Sequence, residues 1–294
     1  MFSRRHPYLF FMIMMTVTAT VGVTFISLMI TALSGESVDY GGEKVGVIEI
    51  IGTIENSKTI IHHIKTFREQ KSIKAIVLRI DSPGGGVGPS QEIYREIRKT
   101  IEEKKVVVSM GGVAASGGYY VAAASNGIVA NPGTVTGSIG VIMGYTNYKE
   151  LMEKIGLVSV VIKSGKFKDV GSPTRDITEE EKALLEKVIK TIHHQFVADI
   201  AQGRSMKIDE VAAIADGRIF TGEDAQTLGL VDRLGNLEDA VKWAGELAGI
   251  DGEIKTVYPP KERDSLVEYL TTSILKIWTK DGLGNNVAPE VKLR

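Results

Sequence analysis

Met110-Gly-Gly-Val-Ala-Ala-Ser-Gly-Gly-Tyr-Tyr120 is the stretch from which the rest of the chain is read. A lone serine, Ser116, stands among small residues, with Gly117 and Gly118 behind it and an apolar run from Tyr119 to Ala124. The run just before, Lys105-Val-Val-Val-Ser109, is short, β-branched and followed by glycines, which predicts a buried strand. Strand, tight small-residue turn and helix together place a hydroxyl at the end of a sheet. A helix N-terminus then lies beneath it, where free N–H groups and the helix dipole favour developing negative charge. The same pattern also fits a close-packed corner in which glycine and alanine let two backbones approach. Composition and the other motifs have to decide between the two.

The chain has 294 residues, 43% of them hydrophobic, enough for one large domain or two modest ones. Its formal net charge of -1 gives no reason to expect a nucleic-acid partner. With no cysteine, disulfides, thiolate catalysis and cysteine-ligated zinc are excluded. The 32 glycines cluster in a few loops, which points to sites built from backbone.

Residues 1–7 carry Arg4, Arg5 and His6, and residues 8–33 carry no charge at all. A span needs about 20 apolar residues, so residues 8–33 are expected to cross a bilayer. Arg4 and Arg5 before the span, against Glu36 and Asp39 after it, place the N-terminus in the cytoplasm and the remainder outside. The alternative is a cleaved signal peptide ending near Ala32-Leu33-Ser34, although such signals have apolar cores of only roughly 7–15 residues. Residues 34–44 read as a linker.

From residue 45 strands and helices alternate. Strands are expected at residues 44–51, 73–80, 106–109 and 127–130, with helices at 59–70 and 90–105 between them. That alternation marks a parallel α/β sheet. Beyond it come a Gly-rich loop (residues 131–142), a short helix (147–155), a strand (158–162) and a loop holding Lys163, Lys166 and Lys168. Thr178-Glu-Glu-Glu181 has the form of a capping box. It opens a long helix whose Leu185, Val188, Ile189, Ile192, Phe196 and Ile200 share one face. A turn-rich unit at 216–232 and a helix at 237–249 complete a domain spanning residues 45–258. Residues 259–294 read as an appendage with an amphipathic helix on Leu266, Leu270, Ile274 and Trp278.

A serine attacks only if one group takes its proton and another holds the oxyanion. The histidines are few. His6 precedes the apolar run, and His62, His63, His193 and His194 sit as adjacent pairs in helix-patterned segments, where surface positions are the ordinary outcome. Ala114-x-Ser116-x-Gly118 is one step from the nucleophile elbow of α/β-hydrolases, but no histidine follows late in the chain as that fold requires. A lysine base is the alternative, and any of the three loop lysines would have to lose several pKa units from ~10.4 to serve near neutral pH. Burial in an apolar cleft can supply about 3–5 units. Three solvated lysines on a loop remain the plainer reading of those residues alone. For the oxyanion, Gly84-Gly85-Gly86 follows a buried strand at the carboxyl end of the sheet, where α/β folds place ligands. It matches neither the phosphate-loop nor the dinucleotide fingerprint.

Jointly these pieces resemble the signal peptide peptidase A family, membrane-anchored Ser-Lys proteases of the crotonase/ClpP fold. The resemblance rests on Arg79-Ile-Asp-Ser-Pro-Gly-Gly-Gly86, the Met110–Tyr120 stretch, Thr136-Gly-Ser-Ile-Gly-Val141, Lys163-Ser-Gly-Lys-Phe-Lys-Asp169, and Gly217-Arg-Ile-Phe-Thr-Gly222 with Gly229-Leu-Val-Asp232. It implies an α/β domain built as a repeated β-β-α superhelix behind one transmembrane helix. It implies Ser116 as nucleophile, Lys168 as general base, the N–H groups of Gly85 and Gly117 as oxyanion hole, and Ser138 as the hydroxyl that positions the lysine. Lys166 takes that role if the loop is shifted. No metal or cofactor is implied. The expected partners are remnant signal peptides and other membrane-associated peptides, the lipid bilayer, and further copies of the chain in a ring or dome. The chain resembles the short, single-domain form, with serine and lysine in one repeat and the groove completed by self-association. Two rival readings stay open: an acyl-CoA-processing enzyme of the same fold, with carboxylates moving the protons, and a catalytically silent membrane scaffold.

Overall fold

Strands with apolar residues at every position need cover on both faces, and that requirement organises the domain that follows the N-terminal helix. The computed structural model describes residues 5–33 and 42–260. Three parallel strands form its centre: β1 (Lys44–Ile51), β2 (Ile73–Ser82) and β3 (Lys105–Ala115). Along them alternate residues go to opposite sides, as a period of two dictates. Ile48, Ile50, Ile76, Leu78, Val108 and Met110 face one core. Val45, Val47, Ala75, Val77 and Val107 face another. The first core is covered by α2 (Lys58–Glu69), α3 (Val87–Thr100), α4 (Gly117–Ala122) and the C-terminal half of α6 (Glu179–Arg204). The second is covered by Ala240, Val241 and Ala244 of α9 (Leu237–Leu247). Shorter elements complete the domain: β4 (Gly127–Ala130), β5 (Val135–Gly137), α5 (Lys149–Lys154), α7 (Ile208–Ala212), β6 (Ile219–Thr221), α8 (Gly222–Thr227), β7 (Arg233–Leu234) and β8 (Lys255–Val257). The sheet order is β6-β5-β3-β2-β1-β8, with β4 and β7 branching from β3, and only β5 and β6 run antiparallel.

The branch matters for the site. β3 continues six residues beyond the end expected from its β-branched run, because it changes partner midway. Val107, Val108 and Ser109 pair with β4, whereas Val113, Ala114 and Ala115 pair with β5. Gly111 allows the crossover: a Cβ there would lie 2.7 Å from the Asp81 carboxyl carbon. The Asp81 carboxylate in turn accepts the N–H of Val113 at 3.1 Å. Side-chain bulk would push the two strands apart at the point where the sheet forks.

Two expectations fail. No strand forms at residues 158–162; Val158 is 85% and Ile162 98% exposed. A β-branched run needs a neighbouring backbone to pair with, and the described residues of this chain offer none there. The expected apolar face of α6 is likewise buried only at its C-terminal end, through Phe196, Val197, Ile200 and Ala201, while Val188 stays exposed.

The N-terminal unit is the helix α1 (Pro7–Leu33), 27 residues and so about 40 Å long, against a hydrocarbon thickness of ~30 Å. Its Pro7–Phe25 window has a mean hydropathy of 1.8 and is long and apolar enough to cross a membrane. The hydroxyls of Thr16, Thr18, Thr20 and Thr24 donate to carbonyls four residues back, so they do not oppose an apolar surround. Most of the linker expected at 34–44, Ser34 of the cleavage site, and the amphipathic helix expected in the C-terminal appendage lie outside the described residues.

Candidate active site

β3 ends at Ala115 and α4 begins at Gly117, so Ser116 alone makes the turn between them. It does so at φ 52° and ψ -119°, a region that a residue with a Cβ rarely occupies. Such a conformation costs about 1–3 kcal/mol and persists only where the surroundings over-determine it. Here they do. The Ser116 N–H donates to Gly137 O at 2.8 Å and its carbonyl accepts the Tyr120 N–H at 2.8 Å. Ala115 and Gly117 are buried while Ser116 keeps partial exposure, so the hydroxyl is presented outward.

The Gly84–Gly86 turn comes against this elbow. Ile54 donates to Gly84 O and accepts from the Gly86 N–H, both at 2.9 Å, forming a parallel bridge centred on Gly85. In such a bridge the middle residue turns its own N–H to the opposite side. Glycine is required there, since a Cβ on residue 85 would stand 2.3 Å from Ile54 O. The Gly85 nitrogen lies 3.2 Å from the position of a Cβ built on Gly117. Among the described residues neither the Gly85 nor the Gly117 N–H has an acceptor. Two unfilled donors thus converge beside the serine, one of them at a helix start.

A cavity of ≈ 110 Å³ opens at this point, lined by Ser116, Gly85 and Gly117 and walled by the apolar Val87, Val141, Ile142, Ile192 and Phe196. Tyr120 closes it, with its ring 4.5 Å from that of Phe196. The Tyr120 hydroxyl donates to the Asp199 carboxylate, and the Tyr94 hydroxyl donates to Asp199 O at 2.8 Å. Burial, and then the Asp199 charge, push the Tyr94 phenol up to about 12, and burial with the hydrogen bond to Asp199 pushes the Tyr120 phenol higher still, so both stay protonated donors. These bonds tie α3, α4 and α6 together behind the cavity. The walls contributed by Ile192 and Phe196 were not foreseen from sequence; their spacing of four marks only a helix face, not what it meets.

Ser138 follows directly on Gly137, the residue whose carbonyl holds Ser116, and it too has positive φ, 50°. The structure therefore brings Ser116, Gly117 and Gly85 to one cavity, with Ser138 next in the chain to the residue that holds the Ser116 N–H but outside the cavity lining. The lysine loop is not gathered with them: Lys168 is exposed and is not among the residues lining the cavity. The three lysines of that loop differ in their surroundings. Lys163 pairs with Asp169 at 2.5 Å and Lys166 with Glu180. Lys168 has no carboxylate partner among the described residues. No histidine lines the cavity either; His193 Nε2 lies 2.8 Å from Ala215 O.

Acyl transfer asks for a hydroxyl that can approach a carbonyl and for donors waiting where the oxyanion forms. The elbow and the glycine turn offer groups of both kinds on a largely parallel sheet, an arrangement suited to a serine hydrolase of the Clp type. The sequence models agree: Clp protease matches residues 44–133 and peptidase family S49 matches residues 98–251. The chain belongs to peptidase family S49, the signal peptide peptidase A family, and is a serine protease. A protein of Synechocystis sp., named provisionally as a protease, is 45% identical over 248 residues, covering 82% of this chain and 88% of that one. The chloroplastic serine protease SPPA of Arabidopsis thaliana is 37% identical over 243 residues, 82% of this chain and 35% of its own. Protease 4 of Salmonella typhi is 36% identical over 219 residues, 74% of this chain and 35% of its own.

Proposed function

We propose that this protein is a membrane-anchored Ser-Lys endopeptidase that degrades remnant signal peptides and other membrane-associated peptides. Ser116 is the nucleophile, Lys168 the general base, Gly85 and Gly117 the oxyanion donors, and Ser138 the hydroxyl that orients the lysine. The observation that carries the reading is the strained serine beside two N–H groups with nothing to bond. Lys168 is favoured over Lys163 and Lys166 because an ammonium paired with a carboxylate is held in its charged form. In the first step the Ser116 Oγ–carbonyl carbon bond forms while Lys168 takes the hydroxyl proton. That proton passes to the amine nitrogen as the peptide C–N bond breaks. Water then attacks the acyl-enzyme, giving one proton to Lys168, which returns it to Ser116 as the acid leaves. The apolar walls of the cavity suit a small or medium apolar side chain beside the cut. The absence of any carboxylate from its lining disfavours the acyl-CoA reading, in which carboxylates would do the proton work.

The base reaches the nucleophile across a contact between copies of the chain. Lys168 lies outside its own chain's cavity, and its segment exposes a run of apolar residues, Val158, Val160 and Ile162 among them, that no described residue of this chain covers and that a second copy would bury. Arg4 and Arg5 ahead of α1 favour a cytoplasmic N-terminus, with catalysis on the other side of the membrane. The test is labelling of the membrane-bound protein with a fluorophosphonate, mapping of the modified residue, and peptide hydrolysis by Ser116→Ala and Lys168→Met. Label on Ser116, with both variants folded and inactive, is the expected result. Near-normal turnover in either variant removes that residue from the mechanism. Val160→Asp should dissociate the assembly and lose activity together; an active monomer would refute the intermolecular site.

A further inference from the structure

The lysine loop has a fastening whose strength is out of proportion to its exposed position. Arg175 spends its whole guanidinium on it. Nε donates to Asp169 Oδ2 at 2.9 Å and Nη2 to Asp169 O at 3.1 Å. Nη1 donates to Glu181 Oε2 at 2.9 Å and to Asp176 O at 3.0 Å, and Nη2 also donates to Glu181 Oε1. Asp169 is the residue next to Lys168, and both its side chain and its carbonyl are held. Glu181 belongs to the first turn of α6 and is buried, closing the capping box with Thr178. A short stretch of chain is thus pinned at its carboxylate and its backbone to one end of a helix whose other half walls a catalytic cavity through Ile192 and Phe196.

We propose that Arg175 is the positioning residue for Lys168: it clamps the lysine loop to the start of α6 and so fixes where the general base is delivered. The inference rests on the Ser-Lys reading above. The charged groups around the clamp fit this division of labour. Lys163 takes the other oxygen of Asp169, Lys166 takes Glu180, and Lys149 takes Asp176 at 2.7 Å. Those three carboxylates are therefore occupied by other cations, and Lys168 has no carboxylate partner among the described residues. Arginine is needed because it bridges two carboxylates in a fixed plane, which a lysine's point charge cannot do.

The test uses the full-length protein in detergent, with kcat, KM and the pH–rate profile measured for Arg175→Met, Arg175→Lys, Asp169→Asn and Glu181→Gln beside Lys168→Met. Displacing a reacting group by about 1 Å can cost on the order of 10²-fold in rate, so Arg175→Met should lose about 10²-fold in kcat with KM little changed. Its pH–rate profile should change as well, and Arg175→Lys should recover only part of the loss. Chromatography should show wild-type assembly. Wild-type kcat and pH profile in Arg175→Met, with Lys168→Met inactive, overturn the clamp and leave the dyad standing. An active Lys168→Met overturns the base assignment and the clamp with it. If Arg175→Met fails to fold, the milder Asp169→Asn and Glu181→Gln decide: a fall in kcat with a changed pH profile supports the clamp, and unchanged values refute it.

Discussion

Replacing Ser116 by glycine and by alanine separates chemistry from conformation. Both variants lose the hydroxyl, so both should be inactive, but only glycine is at ease at φ 52°, ψ -119°. Alanine keeps the Cβ and with it strain of about 1–3 kcal/mol. Glycine releases that strain but gives the unfolded chain more freedom, which offsets about 0.4–1 kcal/mol. The net difference is about 0.5–2 kcal/mol in favour of Ser116→Gly. At roughly 2–4 °C per kcal/mol for a domain of this size, the glycine variant should melt about 1–8 °C above the alanine variant. Thermal unfolding of the two proteins in the same detergent and at the same scan rate measures it. A glycine variant that melts at or below the alanine variant would show that the elbow stores no strain, and the argument from strain to nucleophile would fall.

Three further outcomes are expected. Gly85→Ala should lower turnover by at least the 10²–10³ typical of one lost oxyanion donor, because its Cβ meets the Ile54 backbone and must move the turn; a peptidase assay on folded protein checks it. Tyr120→Phe should keep the cavity's shape and its side-chain preference but lower stability by about 1–3 kcal/mol in urea unfolding, since the buried side of Asp199 loses its donor. Donation from Arg175 holds the Glu181 carboxyl down at about 2 against an ordinary 4.5, so its contribution to stability is complete above pH 4.5 and disappears as pH falls through about 2. Hydrogen exchange in the first turn of α6 should follow that window in the wild type and not in Glu181→Gln.

Much of the domain was legible because local pattern and final environment agree. The strands at 44–51 and 127–130 and the capping box at Thr178 stand where sequence put them. The end of β3 was misjudged because Gly111 and Gly112 read as a turn, whereas both lie in the strand and Gly111 thins it so that Asp81 can approach. Residues 158–162 carry a genuine strand signal, but strand formation depends on a partner that the described residues do not supply. At the site, Ser116 and the glycine donors were visible as motifs. The walls from α6 and the clamp at Arg175 were not, since they depend on which side chains meet across distant parts of the chain.

The forked strand has a consequence for how this enzyme can vary. β3 is zipped to β2 along one edge while its other edge is shared between β4 and β5, so its alignment is dictated from three directions at once. Inserting or deleting one residue in it would shift everything downstream by about 3.3 Å and turn alternate side chains to the wrong face. The coordinates of Ser116 are in effect read off a scale that cannot slide. Length variation should therefore be tolerated in the peripheral loops and forbidden between Lys105 and Ser116.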